Sequence, residues 1–563
     1  MNASIMPADN LTSSPGTKAF NTFVENQDTL FFVKYSLEKL LFTLLLFSQF
    51  FLLSSCNRLK KNRSHQQVSD ASIKKGRQLA AAYCQSCHEL PDPSQLESQS
   101  WENGVLPVMG PRLGIFSYGF NIYPSNRNDK NLPVNYYPSK PLLNSLDWQN
   151  IIDYYTALSP DALPLQHRAD TIQQPTGIFK VEYPAFSSSA PAICYSKIDT
   201  ISSPHQLLFF DLGGNNIFRF DNRLLLTDSM KSPATITDVD FYDSTILACN
   251  INFMNPNNGK FGKAHLLTMP PGGKLQLDTT PVFDELARPV QITSCDLNND
   301  KKTDYLVCEF GNLTGALSWM ENTAAKRYTR HVLKSEPGAI KAYTRDNNND
   351  GLQDIWALFS QGEEGIFLFT NRGNGNFDQQ QVLRFPAIYG STYFEFADFN
   401  KDGLQDIVYT CGDNADYSMV LKPYHGVYIF INEGNNHFTQ KYFFPVNGCY
   451  KAMARDFDQD GDLDIATIAF FADYEKQPQE GFIYLENKGA MNFKPLAIPE
   501  CQGGRWLTMD VGDLDGDGKE DIVLGNFSIR PSIIKPRVDW QKGPLFILLR
   551  NISQNLLTKK AIK

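Results

Sequence analysis

Five aspartate-rich segments recur at a nearly constant spacing in the second half of the chain, and they limit the folds open to it. They read DLNNDKKTDYLV, DNNNDGLQDIWA, DFNKDGLQDIVY, DFDQDGDLDIAT and DLDGDGKEDIVL, from Asp296, Asp346, Asp398, Asp456 and Asp513. Successive copies begin 50, 52, 58 and 57 residues apart. A fixed period of this length is typical of repeat architectures, in which each copy is one supersecondary unit.

The pattern inside each segment indicates a loop around a hard cation. Oxygen-bearing side chains stand at positions 1, 3, 5 and 9, and glycine stands at position 6 in four of the five copies. Calcium accepts six to eight oxygen ligands, and glycine permits the sharp turn between them. The predicted calcium ligands are Asp296, Asn298, Asp300, Asp304, Asp346, Asn348, Asp350, Asp354, Asp398, Asn400, Asp402, Asp406, Asp456, Asp458, Asp460, Asp464, Asp513, Asp515, Asp517 and Asp521.

The two alternatives to these calcium loops are an EF-hand and a polar turn without metal. An EF-hand requires glutamate at position 12, and position 12 holds Val307, Ala357, Tyr409, Thr467 and Leu524. A polar turn without metal is the second alternative, and it applies most to the first copy, where Lys301 replaces the glycine. The sequence therefore excludes the EF-hand and leaves the polar turn open.

Each loop is followed by two strand-like runs, such as GIFLFTNRGNGNF from Gly365 and GVYIFINEGNNHF from Gly426. This order resembles the FG-GAP repeats, also called VCBS or integrin α-chain-like repeats. The resemblance implies one four-stranded propeller blade per copy. Degenerate copies near Ser202 and Ala234 bring the expected number to seven blades within residues 175–555. A strand after Gly177 is expected to close the ring beside the last one, because closure removes exposed sheet edges.

A short apolar segment lies near the start of the sequence. Residues 40–53 carry no charge and are followed by Ser54, Ser55 and Cys56. About 14 residues fit a secretory signal better than a membrane span, which needs about 20. The end of the segment resembles a bacterial lipobox, and this implies lipidation of Cys56 and a lipid-anchored protein of the cell envelope, facing the periplasm or the cell surface. An ordinary signal peptide or an uncleaved anchor is the alternative. Residues 1–56 are assigned to the signal region and 57–65 to a linker.

The sequence CQSCH follows a predicted helix that ends near Tyr83. In a c-type haem site two cysteine thiols bond to the haem and the adjacent histidine binds the iron. A zinc site requires a second pair of ligands, and a thioredoxin-like pair requires a βαβ context; neither is evident nearby. The motif therefore favours covalent haem c at Cys84, Cys87 and His88.

Met109 is the predicted sixth iron ligand, since it is the only methionine between residues 57 and 229. A core-filling role for Met109 is the alternative, with His167 as the second candidate ligand. A further amphipathic helix is predicted from Ser145 to Leu158. Residues 66–165 resemble a monohaem cytochrome c domain, although the Tyr-, Pro- and Asn-rich stretch 116–141 departs from the simplest pattern. The expected architecture is a small all-α haem domain followed by an all-β propeller.

The propeller channel offers a further candidate site. Lys341 and Lys451 stand five residues before two of the loops, and Arg345 and Arg455 directly precede them. Side chains at these positions are expected to face the channel, where they would bind an anion or simply line it. The other cysteines, seven in number, are expected to be mostly buried in strands rather than paired. They are Cys194, Cys249, Cys295, Cys308, Cys411, Cys449 and Cys501.

The combined prediction is a membrane-anchored electron carrier with one haem and a calcium-binding propeller that docks a partner. That partner is a redox protein or a small-molecule electron donor. A haem-coupled dehydrogenase with its substrate in the channel is the first alternative, and an adhesion or carbohydrate-binding lipoprotein is the second. A net charge of −9 argues against nucleic acid, because phosphate binding needs clustered lysine and arginine.

Overall fold

The computed structural model describes residues 62, 67–174, 177–242, 245–324, 327–415, 418–531 and 534–553. Residues 61–563 form one compact unit. The predicted signal region, Cys56 and nearly all of the 57–65 linker lie outside the described residues. Within the described part of the chain, no helix combines the length and apolar character needed to cross a bilayer.

Two long helices frame the first part of the compact unit, residues 67–165, here called the helical part. Helix α1 spans Asp70–Tyr83, and Ser69 Oγ caps it by accepting a hydrogen bond from Ser72 N. Helix α2 spans Ser145–Leu158, as the sequence predicted, and is capped by Asn144. Between them lie short helical turns at Pro93–Gln95, Ser98–Ser100, Trp101–Val105, Leu106–Met109 and Gly110–Leu113.

The helical part is not entirely α-helical, which corrects the all-α expectation. Strands β1 (Ser117–Tyr118) and β2 (Asn121–Ile122) form a short antiparallel hairpin. This hairpin falls in the Tyr-, Pro- and Asn-rich stretch that departs from the simplest cytochrome pattern. Residues of this kind favour turns over helix, because proline lacks a backbone donor and asparagine competes for backbone hydrogen bonds.

Helices α1 and α2 cross in close contact. A Cβ atom at Gly76 of α1 would overlap the carbonyl oxygen of Asn150 on α2, so only glycine permits this approach. Below the crossing, Trp101, Trp148 and Tyr155 are almost fully buried, and the rings of Trp101 and Tyr155 lie 4.3 Å apart. These aromatic side chains form the centre of a core separate from the propeller cores.

The rest of the described chain forms seven sheets arranged as the blades of a propeller, which confirms the predicted fold and blade number. The inner strands are β4 (Ile193–Asp199), β8 (Ile236–Tyr242), β13 (Pro289–Cys295), β17 (Ala339–Arg345), β21 (Ser391–Ala397), β25 (Cys449–Arg455) and β29 (Trp506–Gly512). The second strands are β5 (Gln206–Asp211), β9 (Thr245–Asn250), β14 (Asp304–Glu309), β18 (Asp354–Phe359), β22 (Asp406–Cys411), β26 (Asp464–Ala469) and β30 (Asp521–Asn526).

The remaining strands complete each blade. The third strands are β6 (Asn216–Asp221), β10 (Gly262–Thr268), β15 (Ala316–Ala324), β19 (Gly365–Asn371), β23 (Gly426–Asn432), β27 (Phe482–Asn487) and β31 (Phe546–Asn551). The outer strands are β7 (Leu226–Lys231), β11 (Gln276–Leu277), β12 (Phe283–Leu286), β16 (Arg327–Lys334), β20 (Phe377–Arg384), β24 (Phe438–Pro445), β28 (Phe493–Leu496) and β3 (Phe179–Glu182). Blades 1 to 7 are numbered by the order of their inner strands, and blade 2 has both β11 and β12 at its outer side.

The ring is closed by an early strand. Strand β3 pairs antiparallel with β31, with Phe179 opposite Asn551 and Val181 opposite Leu549. Blade 7 therefore combines residues from both ends of the propeller, as the sequence predicted. No sheet edge is left open at the junction between the first and last copies.

Side chains of the inner strands link every blade to the next. In each link, a side chain on one inner strand forms a hydrogen bond with a main-chain group on the inner strand of the next blade. The seven links, from blade 1 onward, are Tyr195 to Val239, Asp238 to Ile292, Gln291 to Ala342, Tyr343 to Phe394, Glu395 to Ala454, Lys451 to Met509 and Asp510 to Ile198. The channel wall is thus a continuous ring of hydrogen bonds.

The cysteines of the propeller are unpaired in the structure. Six of the seven, all but Cys194, are buried. The expectation that most of them are buried in strands is confirmed, although Cys501 lies in the helical turn Pro499–Gly503.

Candidate functional site

A cavity of about 920 Å³ lies between the helical part and the loops of blades 3, 4 and 5. The helical part supplies Cys84, Cys87, His88 and Met109 to its lining. Its other helical lining is mostly apolar and includes Leu96, Trp101, Leu106, Leu113, Trp148 and Tyr155. The structure therefore brings all four predicted haem-binding side chains to one cavity.

The CQSCH motif lies at the carboxyl end of α1. Cys84 caps the helix, and its amide donates to Ala80 O. Burial, and to a smaller extent the nearby Cys87, raise the pKa of the Cys84 thiol to about 11. Both thiols are unpaired, and Cys87 is exposed. The two sulfur atoms are therefore free for covalent attachment to a ligand.

The imidazole of His88 is oriented by a hydrogen bond to the backbone of the next residue, Glu89. Nδ1 lies 2.7 Å from the carbonyl oxygen of Glu89, and a carbonyl can only accept, so Nδ1 carries the proton in this bond. Nε2 then keeps its lone pair, which is the arrangement metal-binding histidines use. His88 is consequently prepared to ligate a metal through Nε2.

Met109 ends the short helix Leu106–Met109 and lines the same cavity. His167, the second candidate for a sixth ligand, is exposed in the segment after α2 and does not line the cavity. The position of Met109 supports its assignment over that of His167.

Sequence reasoning missed the half of the cavity supplied by the propeller, here called the propeller wall. Its members are Asn312, Leu313, Glu336, Pro337, Ser360, Gln361, Gly362, Glu363, Ala387, Ile388, Gly390, Asp413, Ser418 and Lys422. They lie in loops that join second to third strands or one blade to the next. No shared motif marks these loops, because their role depends only on where the helical part docks.

Direct contacts seat the helical part on these loops. Tyr136 Oη donates to Leu313 O at 3.1 Å, and Tyr424 Oη donates to Gln95 O at 3.2 Å. Ile388 packs against the apolar core of the helical part. The helical part and the propeller loops that line the cavity are therefore in direct contact.

A buried carboxyl group lies directly behind the propeller wall. Glu364 is 1% exposed, and its Oε1 accepts from Ser391 N at 2.5 Å. Its Oε2 has no hydrogen-bond partner among the described residues. Burial raises the pKa of Glu364 to about 8. Nothing in the sequence around Glu364 marks it, since it follows Glu363 in an ordinary loop.

The aspartate loops occupy the opposite face of the propeller from the cavity, because they join inner to second strands. In all five, the first aspartate accepts a hydrogen bond from the amide of position 6, as Asp346 does from Gly351 at 2.9 Å. Among the described residues, two loops group three carboxylates with oxygens within 4.8 Å of one another. The groups are Asp456, Asp458 and Asp464, and Asp513, Asp515 and Asp517.

The ninth-position aspartates also hold the blades together. In all five, one carboxylate oxygen accepts a hydrogen bond from the backbone amide of an asparagine in the last residues of the third strand, and each aspartate side chain is buried. Asp464, for example, accepts from Asn487 N at 2.7 Å and Tyr484 Oη at 2.6 Å. Burial raises the pKa of Asp464 to about 7. These residues thus have a structural task whether or not they also bind calcium.

The predicted channel residues are largely engaged with the protein. Lys451 Nζ donates to Met509 O at 2.8 Å, and Arg455 pairs with Glu395 at 3.2 Å. Burial lowers the pKa of Lys451 to about 8. Lys341 and Arg345 lie over aromatic rings, 4.8 Å and 4.9 Å from the ring centres. Lys451 and Arg455 therefore bond within the ring, while Lys341 and Arg345 are positioned by aromatic side chains.

Comparisons with known proteins identify the repeats. Residues 346–409 and 456–524 match the family model of FG-GAP-like repeats. The chain carries FG-GAP-like repeats. Curated proteins give no match to the chain.

Solved structures of low sequence identity align with most of the chain. BBS1N in complex with ARL6DN is 9% identical, covers 68% of this chain and 100% of its own, and has a TM-score of 0.40. Saccharomyces cerevisiae Sqt1 is 10% identical, with coverage of 64% and 84% and a TM-score of 0.37. The Dos1 propeller is 9% identical, with coverage of 65% and 79% and a TM-score of 0.38.

Proposed function

We propose that this protein is an electron carrier that binds one covalent haem c in the cavity between its helical part and its FG-GAP-like propeller. The observation that carries the proposal is the convergence of Cys84, Cys87, His88 and Met109 on one cavity of about 920 Å³. Pockets of this size hold small-molecule and cofactor ligands. Two thiols, one imidazole and one thioether are the donor set of a cytochrome with methionine as sixth ligand.

The residues present fit such a group. The apolar helical lining would exclude water from a porphyrin, and Trp101 and Trp148 are buried beside it. Cys84 and Cys87 would hold the group covalently, while His88 and Met109 would bind its iron. Haem c supplies one-electron redox chemistry, and methionine ligation raises its potential. The chain's own contribution is to fix these ligands and to bury the group.

The haem proposal is tested by a double substitution in the full chain, expressed with cytochrome c maturation machinery. The wild-type protein is expected to keep haem through denaturing electrophoresis and to show a reduced α-band. Cys84→Ser with Cys87→Ser is expected to lose both signals, because no thioether bond can form. The matched control is Cys449→Ser, a buried cysteine of the propeller. Retention of covalent haem by the double variant would refute the proposal.

We further propose that the aspartate loops bind calcium and stiffen the propeller. The grouped carboxylates of two loops support this, since an uncompensated cluster of acids repels itself. A ligand that binds only the folded state raises the transition temperature. Calcium is expected to raise it and a chelator to lower it, while Asp513→Asn with Asp517→Asn reduces the difference. An unchanged transition on chelation would contradict calcium binding.

We propose that the carrier is lipid-anchored through Cys56 in the bacterial cell envelope and that the propeller docks a redox partner. The apolar segment before Cys56 supports the anchor. The channel gives the dehydrogenase alternative no support, because Lys451 and Arg455 bond to the protein itself and Lys341 and Arg345 lie over aromatic rings. Adhesion assigns no task to Cys84, Cys87, His88 and Met109 in the cavity. The haem test therefore also decides between these functions.

A further inference from the structure

The propeller wall presents carboxylates to the cavity. Glu336 and Glu363 both line it, from loops at the ends of blades 3 and 4. Their side chains are 40% and 37% exposed, so each keeps contact with solvent while facing the cavity. Two solvent-accessible carboxyl groups therefore face the cavity from the propeller.

The cations that pair with these carboxylates lie behind them. Lys334 Nζ is 3.0 Å from Glu336 and 3.8 Å from Glu363, and Arg384 is 3.7 Å from Glu363. Lys334 and Arg384 do not line the cavity. The four charges sum to zero, but the negative members are on the cavity side. The cluster consequently acts on the cavity as a dipole with its negative end toward it.

The other charged residues that line the cavity lie outside the two loops that carry Glu336 and Glu363. Asp413 and Lys422 line the cavity together, from the loop between β22 and β23, and their charges offset each other. Lys422 Nζ is bonded to Asn414 Oδ1 at 2.6 Å. Arg112 of the helical part lies over the ring of Tyr136, 4.4 Å from its centre. In the loops that carry Glu336 and Glu363, no lysine or arginine among the described residues lines the cavity.

We infer that Glu336 and Glu363 of the propeller set the reduction potential of the haem, an inference that rests on the proposed function. Oxidised haem iron carries one more positive charge than reduced iron. A nearby carboxylate stabilises the oxidised form by Coulomb attraction, which is weakened but not abolished by partial contact with solvent. Burial and nearby charge are among the means by which proteins tune haem potentials. The propeller is therefore part of the redox site as well as a platform.

The test measures the midpoint potential of the full-length holoprotein by spectroelectrochemistry at low ionic strength. Glu336→Gln and Glu363→Gln are each expected to raise the potential, and the double variant to raise it further. Arg384→Gln removes a cation from behind Glu363 and is expected to lower it. The control is Glu433→Gln, which is 43% exposed and 3.2 Å from Lys441 but lies on the face of the aspartate loops. The control is expected to keep the wild-type potential.

The outcomes separate this inference from the function on which it rests. A wild-type protein without covalent haem would refute the proposed function. A haem protein whose potential is the same in wild type, Glu336→Gln and Glu363→Gln would refute the inference alone. So would an equal rise in the Glu433→Gln control, since that would show a general charge effect. An unchanged absorption spectrum in each variant confirms that the axial ligands are intact.

Discussion

The sixth position of every aspartate loop has a left-handed backbone. Gly351, Gly461 and Gly518 have φ angles of 85°, 99° and 82°, and Lys301 has 64° at the same position of the first loop. A side chain with Cβ is strained in this region, by about 1–2 kcal/mol. At position 6 the first loop therefore carries strain that glycine removes from the other four.

Replacement of Lys301 by glycine is expected to stabilise the protein. The relief of strain exceeds the entropic cost of a more flexible unfolded chain, which is about 0.5–1 kcal/mol, so we expect a net gain of up to about 1 kcal/mol. Urea denaturation of wild type and Lys301→Gly measures it. Gly461→Ala is the matched reverse change and is expected to lower the free energy of unfolding. A loss of stability in Lys301→Gly would show that the lysine side chain makes compensating contacts.

Individual residues were predictable where a chemical motif fixes their spacing. Cys84, Cys87 and His88 reach the cavity because they share one turn after α1. Glu336 and Glu363 were not predictable, because they follow outer and second strands with no motif. Their role arises from tertiary docking, which local spacing does not encode.

Strand β3 is the element that completes the ring. Phe179 packs on Phe457 and Tyr484, with ring centres 5.7 Å and 5.5 Å away. These contacts join the closing strand to blade 6 as well as to its own blade. The strand is four residues long, so much of its attachment depends on this one side chain.

Truncation of Phe179 is expected to loosen the closure. Phe179→Ala should lower the free energy of unfolding by about 3 kcal/mol, within the range for large aromatic truncations. Lys180→Ala changes the neighbouring residue, whose side chain is 64% exposed and paired with Glu182, and is expected to cost under about 1 kcal/mol. Urea denaturation compares the two. Equal losses would mean that backbone pairing, and not Phe179, holds β3.

Elements were predictable from periodicity and repeat matching. Helix α2 has its predicted bounds because its apolar residues recur on one face, and β3 was found because a closed ring requires a last strand. The hairpin β1–β2 was not predicted, since two-residue strands have no periodicity to read. The ring of inter-blade bonds was also missed, because each link uses a different side chain.

At the scale of the whole molecule, the segment between α2 and β3 is fastened to the propeller by a buried ion pair. Arg168 pairs with Glu480, whose carboxylate also accepts from Asn447 at 3.1 Å and 3.2 Å. The side chains are 12% and 0% exposed. Burial lowers the pKa of Arg168 to about 10, so the guanidinium is charged at neutral pH. A second contact follows at Gln173, whose amide donates to Pro495 O.

Breaking this pair from one side is expected to be costly. Arg168→Met leaves the charge of Glu480 buried without its partner, and such changes typically cost about 3–5 kcal/mol. The double variant Arg168→Met, Glu480→Gln is expected to recover part of this loss, because no unpaired charge remains. Urea denaturation gives the energies, and limited proteolysis reports release of the segment. A double variant no more stable than Arg168→Met would contradict the mechanism.

The order of these attachments decides how the molecule responds to mechanical force. In the β3–β31 pair, Phe179 lies beside Asn551, so opposed tension on the two chain ends would separate the strands one residue pair at a time. Hydrogen bonds that break one pair at a time resist little force. Tension applied upstream of α2, however, reaches Arg168 and then Gln173 before it reaches Phe179. The ion pair between Arg168 and Glu480 of blade 6 therefore bears tension applied upstream of α2 before that tension reaches the β3–β31 pair.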